Sequence, residues 1–228
     1  MFYDKHVDAD PTTASNLIAA SAPVPTEAPP RPNERDPRRR ILDATVETVA
    51  ARGYDRTTIS RILQSAHVEE AVFSEHFHDK HDCFMQALDD LIGGAELAAL
   101  EQFRKTAPWP ERVRLALQSL LRGLARNPHG ARVALVEVLS AGPGARERQR
   151  SALALFTSLV EEGRSHAAST EHLAPQTSEA IVGGIASILH RRALEGDIAE
   201  LPALHKDLTY FALLPYLDHE RAVAVAEL

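Results

Sequence analysis

Residues 67–82 read HVEEAVFSEHFHDKHD and hold four histidines, three glutamates and a lysine. Imidazoles and carboxylates bind transition metals, and Asp79, Asp82 and Cys83 would extend such a donor set. The spacing is irregular and spans a predicted turn, where mixed clusters commonly fail to converge on one ion. The sequence therefore predicts no metal site. The same histidines titrate near physiological pH, so the segment should also gain positive charge as the pH falls.

The rest of the chain lacks the sequence motifs of catalysis. It has no glycine-rich phosphate loop and no G-x-S-x-G nucleophile motif, which predicts a protein that is not an enzyme and needs no cofactor. The single cysteine agrees with a reducing compartment. Because there is neither an apolar run of membrane-spanning length nor a signal-peptide pattern, we expect a cytoplasmic protein with no membrane partner.

Helical periodicity surrounds the histidine-rich segment. A first helix after Pro37 should end at Gly53 in a left-handed cap, and Thr57 is a candidate N-cap for a short second helix. A tight turn at 66–68 leads to a third helix over 69–76, and Asp79 can cap a long fourth helix. Three short helices with such close connections form a helix-turn-helix unit.

The remainder also shows only helical patterns, so we expect an all-α fold. Further helices are predicted over 108–127, 129–141, 143–168, 176–194 and 203–217. Residues 1–36 are rich in proline, alanine, serine and threonine without an apolar period, which is typical of a disordered tail. The predicted division is a tail over 1–36, a helix-turn-helix domain over 37–82 and a helical domain over 83–228.

The stretch RRRILDATVETVAARGYDRTTISRILQSAHVEEAVFSEHFHDKHD resembles the N-terminal domain of the TetR family of bacterial transcriptional regulators. The resemblance lies in the basic start, Ile41-Leu42, Gly53-Tyr54, Thr57-Thr58, the Ala66-x-Val68 turn, and His76-Phe77 followed by Lys80. It covers about 50 residues; the remainder matches only as a helical domain of the expected size. It implies a DNA-binding domain joined to a helical domain that encloses a small-molecule pocket and forms a two-helix dimer contact.

A helix-turn-helix lays its second helix in the major groove while the preceding helix crosses the DNA backbone. Residues 68–74 should then meet base edges, while helix starts and arginines hold phosphates. An alternative for the arginine run, which Arg31 and Arg35 of the tail would extend, is a solvated helix start. The predicted DNA-binding residues are Arg38, Arg39, Arg40, Thr57, Thr58, Glu69, Glu70, Ala71, Ser74, His76 and Lys80.

The charge of this domain is unusual for a DNA reader. Residues 38–82 hold seven basic and eight acidic side chains, a formal charge of −1, and the whole chain carries −7. Where the family typically has glycine, serine and tyrosine, this chain has His67, Glu69 and Ser74. Glu69 and Glu70 could stabilise the helix start or accept from the cytosine amino group, or the protein could have lost DNA binding. Protonation of the histidines predicts tighter DNA binding at lower pH.

The second domain offers candidates for a pocket and for a dimer contact. Glu137, polar within the apolar run ARVALVEVLSA, is the best candidate for a ligand-facing polar group, although apolar stripes are more often plain core. The full predicted pocket set is Phe103, Trp109, Leu117, Leu121, Leu135, Glu137, Leu139 and Phe156. The predicted dimer set is Ile181, Gly184, Ile185, Ile188, Leu204, Leu208 and Phe211; the alternative is a monomer in which these helices are core.

The resemblance and the residues together predict a dimeric, ligand-responsive DNA-binding regulator. It would act as a repressor on a palindromic double-stranded operator, with the two third helices in grooves about 34–36 Å apart. A small, largely apolar effector would release it from DNA. The alternative is a TetR-like dimer that has lost sequence-specific DNA binding and serves as a small-molecule or protein-binding module.

Overall fold

Helices are the regular elements of the part of the chain that a computed structural model describes, residues 36–167 and 173–228, which confirms the all-α prediction. Three 3-10 segments, Glu137–Leu139, Glu162–His166 and Ile198–Leu204, lie between them. The predicted tail lies outside the described residues except for Asp36. The α-helices are α1 (Pro37–Arg52), α2 (Ile59–Ala66), α3 (Glu70–His76), α4 (Lys80–Phe103), α5 (Trp109–Arg126), α6 (Pro128–Leu135), α7 (Pro143–Glu161), α8 (Thr177–Glu195), α9 (His205–Leu213) and α10 (His219–Ala226).

Local capping sets the bounds of α1 and α2. Asp36 accepts from the backbone N–H of Arg38, and Gly53 ends α1 with φ at +85°. The ψ of Gly53 is 154°, so the predicted left-handed cap is wrong even though the positive φ still favours glycine. Thr58, not Thr57, is the N-cap of α2. The side chain of Thr57 is buried instead. The predicted N-cap was therefore one residue too early.

The helix-turn-helix geometry follows from a tight turn and a shared core. His67 occupies the left-handed region with φ of 53°, which lets the chain reverse between α2 and α3. Phe73 and Phe77 are buried against Ile41 and Ile62, so α3 is held on α1 and α2. Asp79 caps α4 by accepting from Asp82 N–H at 2.8 Å, as predicted.

The later helices pack around a second core that contains Trp109. Residues 36–228 form one compact unit, in which α4 runs from the helix-turn-helix segment alongside α5 and α7. Arg148 of α7 holds α4 at two points, 2.8 Å from Asp89 and 2.7 Å from Glu96.

Three predicted helices of this region have different bounds in the structure. The helix predicted over 129–141 ends at Leu135 and continues as the 3-10 segment from Glu137. The one over 203–217 begins only at His205, because the preceding residues around Pro202 form a 3-10 segment. The regular α-helix predicted over 143–168 ends at Glu161, and its last predicted residue lies outside the described part of the chain. Sequence reasoning also missed α10, which Asp218 caps by accepting from Arg221 N–H.

Candidate DNA-binding surface and ligand cavity

The outer face of α3 is exposed and acidic. Glu69, Glu70, Ala71 and Ser74 are all exposed, and Glu75 adds a third carboxylate. Neither the Glu69 nor the Glu70 carboxylate is paired with any described residue, and Ser74 donates to the Glu70 carbonyl at 3.1 Å. The Glu70 charge is favourable beside the positive end of α3. The face is accessible as a base-reading surface requires, and its contact with DNA stays a prediction.

Two exposed arginines that the sequence reasoning missed flank the start of α2. Thr58 caps the helix by accepting from Arg61 N–H at 3.4 Å and remains exposed. Arg56 is exposed beside it, and the Arg61 guanidinium donates to the Arg56 carbonyl at 2.6 Å. Because this end of a helix-turn-helix meets the phosphate backbone, Arg56 and Arg61 add positive charge where DNA needs it. The signal that would have identified them is their position on either side of the Thr57-Thr58 pair.

The predicted arginine run packs against α4. Arg38 donates to Gln86 at 2.6 Å, and Arg39 lies 3.1 Å from Asp90. Arg40 is half-buried. Arg39 also lies 2.9 Å from Asp43; exposed ion pairs contribute only about 0–1 kcal/mol each, so a phosphate could replace either partner of Arg39 at small cost. Contact of these three arginines with DNA stays a prediction, and the tail arginines lie outside the described residues.

Thr57 and Lys80 are occupied inside the protein. Thr57 is 1% exposed, and its hydroxyl donates to the Gly53 carbonyl at 2.9 Å, which corrects its prediction as a phosphate contact. The Lys80 ammonium donates to the Tyr54 carbonyl at 3.0 Å and is half-buried. His76 is half-buried beside Phe77 rather than free on the surface. Lys80 thus holds the α1–α2 turn in this conformation.

The histidines of this segment are separate from one another. His67, His78 and His81 are exposed, and no three His, Cys, Asp or Glu side chains in the described ranges converge as metal ligands. Cys83 is fully buried with its sulfur 3.1 Å from the Thr45 hydroxyl, and burial raises the pKa of its thiol to about 11. The predicted pH dependence of DNA binding stays a prediction.

A cavity of about 90 Å³ lies between α5, α7, α8 and the ends of α4 and α9. Its walls are apolar side chains, and three of the predicted residues, Phe103, Leu117 and Phe156, are among them. Sequence reasoning missed most of the α7 and α8 contribution. The sequence feature that could have identified the α7 contribution is the helical spacing of Leu153, Phe156 and Val160. Such a lining offers a ligand contact area but no hydrogen bonds.

Four other predicted apolar residues do not line this cavity. Trp109 is 1% exposed and supports the wall from behind, since its indole N–H donates to the Leu159 carbonyl at 3.1 Å. Leu121 is fully buried core, and Leu135 packs on the same core from α6. Leu139 is 45% exposed on the outside. Periodicity identified apolar faces for these helices but not which of them surrounds empty space.

Glu137 does not face the cavity, so that prediction is wrong. Its carboxylate is 7% exposed and accepts from the backbone N–H of Tyr54 at 3.1 Å. The other oxygen lies 3.5 Å from the Arg132 guanidinium. The polar residue in the apolar run therefore connects the 3-10 segment after α6 to the α1–α2 turn.

An apolar face remains exposed on α8 and α9. Phe211 is 44% and Leu214 41% exposed, and the Phe211 ring covers Gly184 closely enough that a Cβ there would lie 3.4 Å from it. Gly183 is exposed with open space above it, and Ile188 is half-buried. The exposure of Phe211 supports its predicted role in a dimer, and the roles of Gly184 and Ile188 stay predictions.

Three predicted dimer residues point inward. Ile181, Ile185 and Leu208 are at most 7% exposed within the protomer, and Ile185 lines the cavity, so their assignment to an interface is corrected. Leu204 is half-buried at the end of a 3-10 segment. These residues hold α8 and α9 on the protomer core.

None of the helices in the described ranges has the length and apolar character that a membrane crossing requires.

Comparisons with known proteins agree with this architecture. Residues 41–87 match the family model of bacterial regulatory proteins of the tetR family. The fatty acid degradation regulator FadR from Bacillus halodurans has 19% identity and a TM-score of 0.70, over 79% of this chain and 96% of that one. FadR from Bacillus subtilis, solved in complex with stearoyl-CoA, has 20% identity and a TM-score of 0.68, over 77% and 97%.

A third structure extends the same likeness. AmtR from Mycobacterium smegmatis has 20% identity and a TM-score of 0.63, over 87% of this chain and 96% of that one. At such identities the structural matches establish the fold. No curated protein sequence matches the chain.

Proposed function

We propose that this chain, whose residues 41–87 match the tetR-family model and whose fold is similar to that of FadR, is a dimeric transcriptional repressor that an apolar molecule releases from a palindromic operator. The observation that carries the proposal is that one compact unit contains both an exposed helix-turn-helix and an apolar cavity. Helix α4 connects them, because it begins directly after α3 and ends at Phe103 in the cavity wall. Occupation of one can therefore alter the geometry of the other.

DNA binding would combine a basic phosphate contact with an acidic reading face. Arg56, Arg61 and Thr58 lie exposed at the start of α2, where the helix-turn-helix crosses the backbone. Glu69 and Glu70 would then face the major groove, where a carboxylate accepts from the cytosine amino group. We therefore expect operators with cytosine at the positions under the start of α3, and an affinity that falls as salt rises.

The effector would be apolar in the part that enters the protein. The cavity walls offer no hydrogen-bonding group, and the FadR of Bacillus subtilis with a similar fold was solved with an acyl-CoA. A cavity of roughly 150 Å³ holds one benzene molecule, so at about 90 Å³ this one must expand for a larger ligand. Expansion would part α5, α7 and α8, and that displacement is how binding would reach the DNA-binding helices.

A dimer would form through the exposed face of α8 and α9. Phe211 and Leu214 are large apolar side chains that a monomer leaves in water, and the open space at Gly183 permits close helix approach. A two-fold contact of these helices would bury this face and place two α3 helices on one side of the DNA.

Selection of duplexes from a randomised library tests the proposal. Wild-type protein should enrich a palindromic sequence. Fluorescence anisotropy with that duplex should give a nanomolar Kd at about 50 mM salt and weaker binding at about 200 mM, because salt competes with phosphate contacts. A neutral apolar fluorophore, N-phenyl-1-naphthylamine, should bind the protein and lower its affinity for that duplex. Enrichment without a palindrome would contradict the two-fold arrangement.

The acidic α3 favours a second candidate, a TetR-like dimer without sequence-specific DNA binding that serves as a small-molecule or protein-binding module. Three carboxylates, Glu69, Glu70 and Glu75, stand on the face that should enter the groove. This candidate predicts no enriched duplex at pH 6 or pH 8, while the dimer and the binding of the apolar fluorophore persist.

A further inference from the structure

The backbone of Tyr54 is held on both sides by side chains from other parts of the fold. Its N–H donates to Glu137 Oε2 at 3.1 Å, and its carbonyl accepts from Lys80 Nζ at 3.0 Å. The Lys80 ammonium also lies 4.1 Å from the centre of the Tyr54 ring, and that ring meets Phe84 edge-on at 4.8 Å. We refer to Glu137, Tyr54 and Lys80 as the Tyr54 clamp.

The Tyr54 clamp lies directly before the helix that should cross the DNA backbone. The Tyr54 carbonyl also accepts from Thr57 N–H at 3.2 Å, and the next residue, Thr58, caps α2. Gly53, with φ of +85°, brings the chain so near Glu137 that a Cβ would lie 3.4 Å from its carboxylate. The position of the exposed α2 start thus depends on where Glu137 holds the turn.

The opposite side of Glu137 leads to the cavity. Its second oxygen lies 3.5 Å from Arg132, whose guanidinium also donates to the Ala193 carbonyl of α8 at 3.4 Å. His190 of α8 contacts the Leu135 carbonyl, at the end of α6, through Nδ1 at 2.7 Å. The residue before it, Leu189, lines the cavity. Polar contacts therefore run from α8, whose apolar side chains line the cavity, through α6 and Glu137 to the α1–α2 turn.

We propose that Glu137 is a positioning residue for DNA binding, which holds the α1–α2 turn in the geometry that presents α2 and α3 to DNA. The inference rests on the proposed function. Glu137 is 7% exposed, and a buried carboxylate needs compensating partners; the Tyr54 N–H donates a hydrogen bond to it, and the Arg132 guanidinium supplies an opposite charge 3.5 Å away. Without the hydrogen bond from the Tyr54 N–H to Glu137, the α1–α2 turn is less ordered in the free protein. DNA binding must then include the entropy cost of ordering the turn, which lowers the affinity for DNA.

The experiment compares three variants of the full chain. Glu137→Ala removes the acceptor, whereas Glu137→Gln keeps an amide oxygen for the Tyr54 N–H and loses the charge that faces Arg132. Glu111→Ala is the matched control, because Glu111 also pairs with an arginine, Arg114, but within α5 and away from the turn. Amide hydrogen exchange at Tyr54 by NMR reports the clamp, and anisotropy with the duplex selected by the wild type reports DNA affinity.

We expect Glu137→Ala to exchange the Tyr54 amide faster and to bind DNA about tenfold more weakly, the size that a hydrogen bond to a charged group commonly carries. Glu137→Gln should keep the amide protected and the affinity within about threefold, since its acceptor remains. Glu111→Ala should match the wild type in both measurements.

Two results would overturn the inference while the proposed function stood: faster Tyr54 exchange in Glu137→Ala with unchanged DNA affinity, or a tenfold loss in Glu137→Gln with the amide still protected. If Glu137→Ala does not fold, Glu137→Gln carries the test by this second criterion. If wild-type protein selects no duplex, the proposed function fails first and the DNA-binding role of Glu137 fails with it. Tyr54 exchange distinguishes that case, because it reports the clamp without DNA.

Discussion

Replacing Ala212 with leucine should make the protein more stable, because this alanine is buried and its side chain borders the cavity. Ala212 is 1% exposed and lines the cavity of about 90 Å³. Cavity volume costs about 24 cal/mol per Å³, so filling all of it would contribute at most about 2 kcal/mol. We expect about 1 kcal/mol, since a leucine fills the space imperfectly.

The matched control is Ala222→Leu. Ala222 is fully buried in α10 but does not line the cavity, so a leucine there must displace packed atoms and should destabilise by about 1–3 kcal/mol. The two alanine-to-leucine changes are chemically identical and should have opposite signs. The difference isolates the empty volume from the general effect of a larger side chain.

Urea and thermal unfolding followed by circular dichroism measure both variants at one fixed protein concentration. For a chain of this size, 1 kcal/mol corresponds to roughly 2–4 °C in Tm. Ala212→Leu should also weaken binding of N-phenyl-1-naphthylamine, because the added side chain occupies the ligand space. Equal destabilisation by both leucines would refute the reasoning, since it would mean that Ala212 faces no usable volume.

Phe211→Glu should convert the proposed dimer to a monomer, as measured by sedimentation, because it puts a charge on the exposed face of α8 and α9; Leu97→Glu, on a still more exposed leucine of α4, should not. Arg56→Ala should weaken DNA binding across all sequences and reduce the salt slope by about 1, whereas the exposed Arg150 of α7 should tolerate alanine without either change. The Cys83 thiol, buried and with its pKa raised to about 11, should react with a disulfide reagent at pH 8 only as fast as the protein unfolds; rapid labelling of native protein would contradict its burial.

The helix-turn-helix could be predicted from the sequence because its signals are local. The Asp79 cap, the turn at His67 and the apolar spacing that buries Phe73 and Phe77 each depend on residues a few positions apart. The N-cap of α2 was displaced by one residue, since two adjacent threonines carry the same capping signal and only packing turned Thr57 inward.

Tertiary packing decided what the longer helices do. Periodicity marks an apolar stripe, but it does not tell whether the stripe meets a neighbouring helix, a second protomer or empty space. Ile185 therefore went from the predicted dimer face to the cavity wall, and Leu121 from the predicted cavity to solid core.

Glu137 illustrates the limit most clearly. The sequence alone identified it as a polar residue inside an apolar run and predicted that it faces a ligand, whereas its carboxylate is buried against the protein itself. Its partner, the Tyr54 N–H, lies 83 positions earlier in the chain and carries no side-chain signature, because every residue except proline has a backbone N–H. The sequence alone singled out this carboxylate as a polar group among apolar residues, and only the packing of α6 on α1 decided that it would accept from the turn before α2.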